Sequence, residues 1–205
     1  MATQKMDTGV VTLSNAIGME ITPYVKSGDT LVLGDTTYDI TEIVADTVSI
    51  TPDDNEVNTT DAEFRDTPLF ENVTLGKVQF AATCTDFQND MMKAIFGWTE
   101  ITQGTGQTAK KGVVAPLNYQ ELYCAIVVKF ANRNVILPKV KMNSKAVLAT
   151  LKTGYGEGQL AGTAYAGYVA YNASGDPAKA TTAHTTWGFL PTDMTYEVLA
   201  EEPES

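Results

Sequence analysis

The sequence predicts a mainly β chain with a single short α-helix and two long loops. Three observations carry this. Short alternating or β-branched runs recur along most of the 205 residues. Gly, Asn and Asp punctuate them at turn spacing. One stretch alone, residues 72–97, changes from a strand period to a helix period. Within it, NVTLGKVQFAATCTDFQNDMMKAIFG, Val78, Phe80, Ala82 and Cys84 share one pleat face while Lys77 and Gln79 take the other, which predicts a half-buried strand. Thr85 and Gln88 have capping-box spacing. Phe87, Met91 and Ile95, with Met92 and Phe96 beside them, form an apolar stripe that Gly97 can close in the left-handed conformation. So short a helix is marginal in water alone and must be held by packing against strands.

From the start of the chain, Gly9 to Leu13 is a small apolar run, and Ala16 to Tyr24 alternates before Ser27-Gly28-Asp29 turns the chain. Leu31 to Leu33, Thr36 to Ile43 and Thr47 to Thr51 are aliphatic and β-branched. Gly34-Asp35 and Ala45-Asp46 between them read as hairpin turns, so a three-stranded meander is expected. The pattern stops over residues 52–68, PDDNEVNTTDAEFRDTP, which has one cation, Val57 and Phe64 as its large hydrophobes, and two prolines. An exposed acidic loop is expected there, and loops beyond ~12–15 residues are uncommon unless functional or disordered.

Trp98 to Leu117 reads as a second long connection around GTGQTAKKG. Glu121 to Phe130 is the clearest strand, with Leu122, Cys124, Ile126, Val128 and Phe130 on one face. After a turn at Asn132-Arg133-Asn134, the return strand Val135 to Met142 is expected to put Ile136, Val140 and Met142 inward and Lys139 and Lys141 outward. Pro138 has no amide hydrogen for a ladder, which predicts an edge position or a bulge. Ala146 to Lys152 fits helix or strand. The glycine-rich run Gly154 to Gly158 leads to a strand over Gly162 to Tyr171, followed by a polar loop from Asn172 to Thr186 and a last strand, Thr192 to Leu199. The tail, residues 200–205, is acidic and expected to be mobile.

The charge balance excludes some functions. A net charge of -11 repels phosphate backbones, which argues against sequence-specific nucleic-acid binding. No apolar run is long enough for a bilayer, and MATQKMDTG lacks the apolar core of a signal peptide, so a chain made and kept in the cytoplasm is expected. Residues 1–71 hold fourteen acids against Lys5, Lys26 and Arg65. From Leu122 to Gly156 there is no acid, yet Lys129, Arg133, Lys139, Lys141, Lys145 and Lys152 all lie there. Two readings fit: solvated strand faces, or self-complementarity in which the acidic part of one copy meets the basic part of the next. Arg133, Lys139, Lys141 and Lys145 are the interface candidates on the second reading. Cys84 and Cys124 fall on apolar strand faces, where buried thiols are expected, although neighbouring strands would also permit a bridge.

Motifs for chemistry are sparse. His184 stands alone in a Thr-rich loop, and one His with two Cys at unrelated spacing assembles no zinc site. The Gly154, Gly156, Gly158 run opens no helix, and Lys110-Lys111-Gly112 reverses the order of a phosphate loop. Asp53-Asp54-Asn55-Glu56 lacks the glycine and distal glutamate of a calcium loop. No catalytic, metal or cofactor residues are therefore assigned.

The order of these features resembles the major tail proteins of long-tailed bacteriophages, their tail tube subunits. The matching parts are TGVVTL, the strand and helix VTLGKVQFAATCTDFQNDMMKAIFG, the hairpin YCAIVVKFANRNVILPKVKM, and GYGEGQLAGTAYAGYVAY. The resemblance implies a β-sandwich or partial barrel of two antiparallel sheets with one short flanking α-helix and long loops, in one domain over residues 1–205. It implies hexameric rings stacked into a tube in the virion tail, made in the host cytoplasm, through whose lumen genomic DNA passes without specific binding. Partners would be other copies, with tape measure and tail terminator or baseplate proteins. The acidic loop supplies the ring-stacking candidates Asp53, Asp54, Glu56, Asp61, Glu63, Phe64 and Arg65. The alternative is a carbohydrate- or cell-binding β-sandwich decoration or adhesin module using Tyr155, Tyr165, Tyr168, Tyr171 and Trp187.

Overall fold

A computed structural model describes residues 16–60, 70–74, 76–85, 88–118, 120–143, 145–147, 157–171 and 181–201. Among these residues the fold is mainly β, with antiparallel sheets and a single short α-helix. β1 (Gly18–Ser27) and β2 (Thr30–Leu33) form a hairpin. β3 (Tyr38–Ile40) then pairs with the other half of β1, Met19 facing Ile40, and β4 (Ser49–Pro52) crosses to β7 (Val78–Cys84). The expected meander is not formed, because β1 is long enough to offer separate halves to β2 and β3. Nor are Gly34-Asp35 and Ala45-Asp46 hairpin turns. Asp46 does adopt a left-handed φ of 59°, but the segments on either side of that turn both bond to β7.

Residues 52–68 are not one loop. β5 (Glu56–Thr60) and β6 (Phe70–Thr74) make a two-stranded hairpin with Val57 opposite Val73, so cross-strand pairing overrides a polar composition. The helix α1 (Asn89–Phe96) starts later than Thr85. The Thr85 main-chain N–H donates to the Glu42 carbonyl at 3.0 Å, which keeps that residue in the sheet. Gln88 is the N-cap and makes no side-chain cap bond, so the capping box is not formed, and Phe87 lies outside the described residues. Gly97 closes the helix at φ 69° as expected, its N–H bonding the Lys93 carbonyl at 3.2 Å.

The second supposed connection is also a hairpin, β8 (Thr99–Gln103) and β9 (Lys110–Val114) around a 3-10 turn at Gly106–Thr108. β10 (Leu122–Lys129) and β11 (Arg133–Met142) form the predicted central hairpin. The register slips opposite Ala125, where Cys124 faces Val140 and Ile126 faces Leu137, so Pro138 sits in a bulge. β11 is not an edge: β10 lies on one side, with β13 (Glu157–Tyr165) and β16 (Gly188–Pro191) on the other. β12 (Lys145–Val147) pairs with β13. β14 (Gly167–Tyr171) pairs with β15 (Thr181–Thr185) and β17 (Tyr196–Leu199) in a three-stranded sheet. The expected strand from Gly162 to Tyr171 is thus two, and the expected loop from Asn172 to Thr186 contains β15, with residues 172–180 outside the described set.

The main sheet runs β2-β1-β10-β11-β13-β7-β4. The segment 38–52 bonds to β1 through β3 and to β7 through β4, the Ile43–Cys84 bridge and the Val44 N–H, so it joins both sides of the sheet as a partial barrel. The concave face holds the main core: Met19, Ile21, Ile40, Phe80, Ile126, Val128, Leu137 and Leu160. Met91, Met92, Ile95 and Phe96 of α1 pack into it, and each large side chain so buried contributes about 1.5–3 kcal/mol. Ile136 is buried but points the other way, with Val127 and Val169, because the bulge shifts the inward phase of β11 from odd to even residues. The small sheet therefore covers only part of the outer face. Cys84 and Cys124 are buried free thiols, and β11 and β13 separate their strands, so they are not strand neighbours.

Candidate functional site

The outer face of the main sheet beyond the small sheet carries a continuous cross-strand row. Thr51 faces Gln79, Gln79 faces Thr163, Thr163 faces Lys141, and Lys141 faces Tyr123. Tyr24 follows on β1. At one end the row is neutral: Thr163 Oγ1 donates to Gln79 Oε1 at 3.1 Å, and Gln79 Nε2 donates to Asp53 at 3.2 Å. Ser49, Ala81 and Ala161 flank it, with the exposed Lys77 two residues before Gln79 on the same face. At the other end it is aromatic and basic. The Tyr123 and Tyr165 rings meet edge to face at 6.4 Å, and Lys139 and Lys141 lie over the Tyr123 ring at 5.4 and 6.0 Å.

The bulge puts both lysines there. Were the register unbroken, Leu137 inward would place Lys139 inward as well. The inserted position instead points Val140 and Met142 into the core and turns Lys139 and Lys141 out. Lys139 also lies 5.9 Å from the Tyr24 ring, and cation–π contacts of this kind are worth roughly 0.5–1 kcal/mol. Burial pushes the Tyr24 hydroxyl up to about 12. Lys141 pairs with Glu121, and its hydrogen bond, followed by that from the Tyr123 hydroxyl, holds the Glu121 carboxyl below its ordinary range.

Among the interface candidates, Lys139 and Lys141 are thus brought together. Arg133 stands apart at the start of β11 opposite Pro191, and Lys145 is placed on β12 by its backbone, its side chain lying outside the described set. Lys129, from the same acid-free stretch, pairs with Glu20 at 2.5 Å and Asp39 at 3.5 Å. The in-chain pairs of Lys129 and Lys141 show that part of the charge asymmetry is neutralised within one molecule. Of the stacking candidates, Asp53 and Asp54 are exposed between β4 and β5 and Glu56 is exposed at the start of β5, while Asp61, Glu63, Phe64 and Arg65 lie outside the described residues. Sequence reasoning missed Tyr24, Tyr123 and Glu121. The available signal for the two tyrosines was a polar-tipped aromatic at one outward position of its strand.

The aromatics of the adhesin alternative do not share one surface. Tyr155 is not described, Trp187 packs against the core and Phe189, and Tyr168 stacks on His184 with ring centroids 4.5 Å apart. Tyr171 takes the opposite face of β14 from Tyr168. His184 is therefore a strand residue and not a loop residue. A groove of about 290 Å³ at the other end of the core is lined by Ile43, Val48, Ile50, Phe130 and Trp187, with Asp46 its one charged side chain. Among the described residues, no three His, Cys, Asp or Glu converge as metal ligands. No protein-family model matches the chain, and a comparison with curated proteins finds no relative.

Proposed function

We propose that the chain is a structural subunit that assembles with itself into stacked hexameric rings forming a phage tail tube. The observation that carries this reading is the open main sheet. Among the described residues, β2 pairs only with β1 and β4 only with β7, which leaves a strand edge at each end of the sheet path. Open edges are completed at low cost by a neighbouring copy. The face between β4 and β13 carries Thr51, Gln79 and Thr163, with Lys77 at its border, and a face with so few cations is suited to a DNA channel, since phosphate binding grows with each cation met. The β5–β6 hairpin, which pairs with no third strand among the described residues, is the ring-stacking element on this reading. An isolated two-stranded hairpin is marginal in water and gains stability when a neighbour covers it.

On this reading the chain needs no cofactor, performs no catalysis and resides in the virion tail, with tape measure and terminator or baseplate proteins at the tube's ends. Negative-stain microscopy of purified protein tests it. Rings or hollow tubes are expected, and a stable monomer at every concentration would end the proposal. The adhesin reading draws support from Tyr165, which is 44% exposed. Glycan-array binding by a stable monomer would favour it.

A further inference from the structure

We propose that Lys139, held between the rings of Tyr24 and Tyr123, is the seat for a carboxylate of a second copy of this chain, delivered by its turn from Asp53 to Glu56. The proposal rests on the self-assembly reading and deepens it by naming the two surfaces that meet.

Lys139 differs from the other lysines whose side chains are described, and Arg133 stands apart at the other end of β11. Lys93, Lys111, Lys129 and Lys141 each pair with a carboxylate. Lys26, Lys77 and Lys110 are exposed to water. Lys139 is half-buried, lies over two aromatic rings, and has no carboxylate partner among the described residues. Its position is fixed from beneath. Pro138 is buried under β14, where a Cβ on Gly167 would come within 2.9 Å of the Pro138 ring, and the Tyr24 hydroxyl holds the Pro138 carbonyl at 2.9 Å. A lysine already restrained by its neighbours loses less side-chain freedom when an anion arrives. The surrounding tyrosines, Tyr165 included, are the residue type enriched at the energetic centre of interfaces.

The complement is on the same molecule but out of its own reach. Asp53 and Asp54 on the β4–β5 turn and Glu56 at the start of β5 are exposed and have no cation partner among the described residues. The Asp53 carboxylate, held by Gln79, belongs to the same outer face as Lys139. In the sheet order β4-β7-β13-β11, two strands lie between the strand carrying the acids and the strand carrying Lys139. At ~4.8 Å per strand spacing, that separation is about 14 Å, beyond a contact ion pair. A patch and its complement on one surface meet either reciprocally about a two-fold axis or head to tail, and head-to-tail contacts close into rings when the rotation permits.

The experiment compares wild type, Lys139→Glu, the triple variant Asp53→Lys, Asp54→Lys, Glu56→Lys, and a chain carrying all four changes, by sedimentation velocity and electron microscopy. Each reversed variant is expected to raise the concentration needed for assembly at least tenfold, with the four-fold variant recovering most of it. Wild type that assembles alongside an unaffected Lys139→Glu overturns the seat and leaves self-assembly standing. Wild type that never assembles overturns both. A second measurement needs no variant: carbodiimide treatment of assembled, mixed light- and heavy-isotope copies, which condenses a carboxylate with an amine to an amide. Mass spectrometry is expected to find Lys139 of one isotope joined to the 53–56 turn of the other. Intermolecular links confined to other lysines would overturn the pairing.

Discussion

The Tyr24 hydroxyl donates to the main-chain oxygen of Pro138 at 2.9 Å, a bond between residues 114 positions apart. It joins β1 to the bulge of β11 across the intervening β10. Tyr24→Phe keeps the ring and removes that bond, so a loss of about 1 kcal/mol is expected in urea unfolding. The alkaline limb of the stability curve should change too. Burial raises the folded Tyr24 hydroxyl to about 12 from an ordinary value near 10, so its contribution is complete below the lower value and lost as pH rises through the upper. The variant should lose less stability over that interval, with tyrosinate absorbance reporting the titration.

Gly162 lies where β13 crosses between β11 and β7. A Cβ there would come within 2.6 Å of both the Lys141 carbonyl oxygen and Val140 Cγ1. Because one obstacle is backbone, the strands must part to admit it. Gly162→Ala is expected to lower stability by roughly 1–3 kcal/mol, read as a reduced denaturant midpoint at unchanged slope.

Two isoleucines separate core from surface. Ile95 of α1 is 1% exposed and sits in the concave core, whereas Ile101 of β8 is 54% exposed. Ile95→Ala should cost about 2–5 kcal/mol and Ile101→Ala within about 0.5 kcal/mol, by the same unfolding measurement. Equal losses would contradict the placement of α1.

The β8–β9 hairpin is fastened to α1 by Glu100, which takes Lys93 at 2.7 Å and Lys111 at 3.3 Å. Hydrogen bonds from Lys93 and then Lys111 hold the Glu100 carboxyl below its ordinary value. The attachment is therefore fully present above the ordinary carboxylate pKa and weakens as pH falls through the depressed one. Hydrogen exchange of residues 99–114, corrected for its intrinsic pH dependence, should accelerate on acidification in wild type. Glu100→Gln should exchange faster already at neutral pH and lose most of that acid dependence.

Cys84 and Cys124 are both 0% exposed, and burial pushes the Cys124 thiol up to about 12. Neither thiol should react with an alkylating reagent in the folded protein, and both should react once denaturant is added. Mild oxidation of the folded monomer should leave its mass unchanged, since the two strands are not adjacent.

The strongly alternating elements were legible in the sequence. Val78 to Cys84 and Leu122 to Val128 face inward as their apolar period requires, and the helix stripe through Met91 and Ile95 is buried. Pro138 announced its bulge through a missing donor. The consequence of that bulge was not legible, because placing Ile136 requires knowing where along β11 the extra residue is inserted. The hairpins β5–β6, β8–β9 and β14–β15 were read wholly or partly as loops. β5, β8, β9 and β15 are rich in Thr, Asn, Lys and Glu, which pair across strands without giving the apolar alternation that period analysis detects. The site was half visible. Lys139 and Lys141 were expected on the outer face, but the tyrosines that frame Lys139 come from β1 and β10, and only the assembled sheet brings them together.

The pairing of β1 with β10 has a consequence for synthesis. Gly18 meets Lys129, so the N-terminal hairpin must wait on the ribosome for more than half of the chain to emerge before its main partner exists. Closure of so distant a contact is entropically slow, and the side of β1 that β10 will cover is an open template until then. Crowded translation of many copies would make this interval the chain's most vulnerable moment. The acidic N-terminal third, with fourteen acids against three cations over residues 1–71, repels its own kind over that interval.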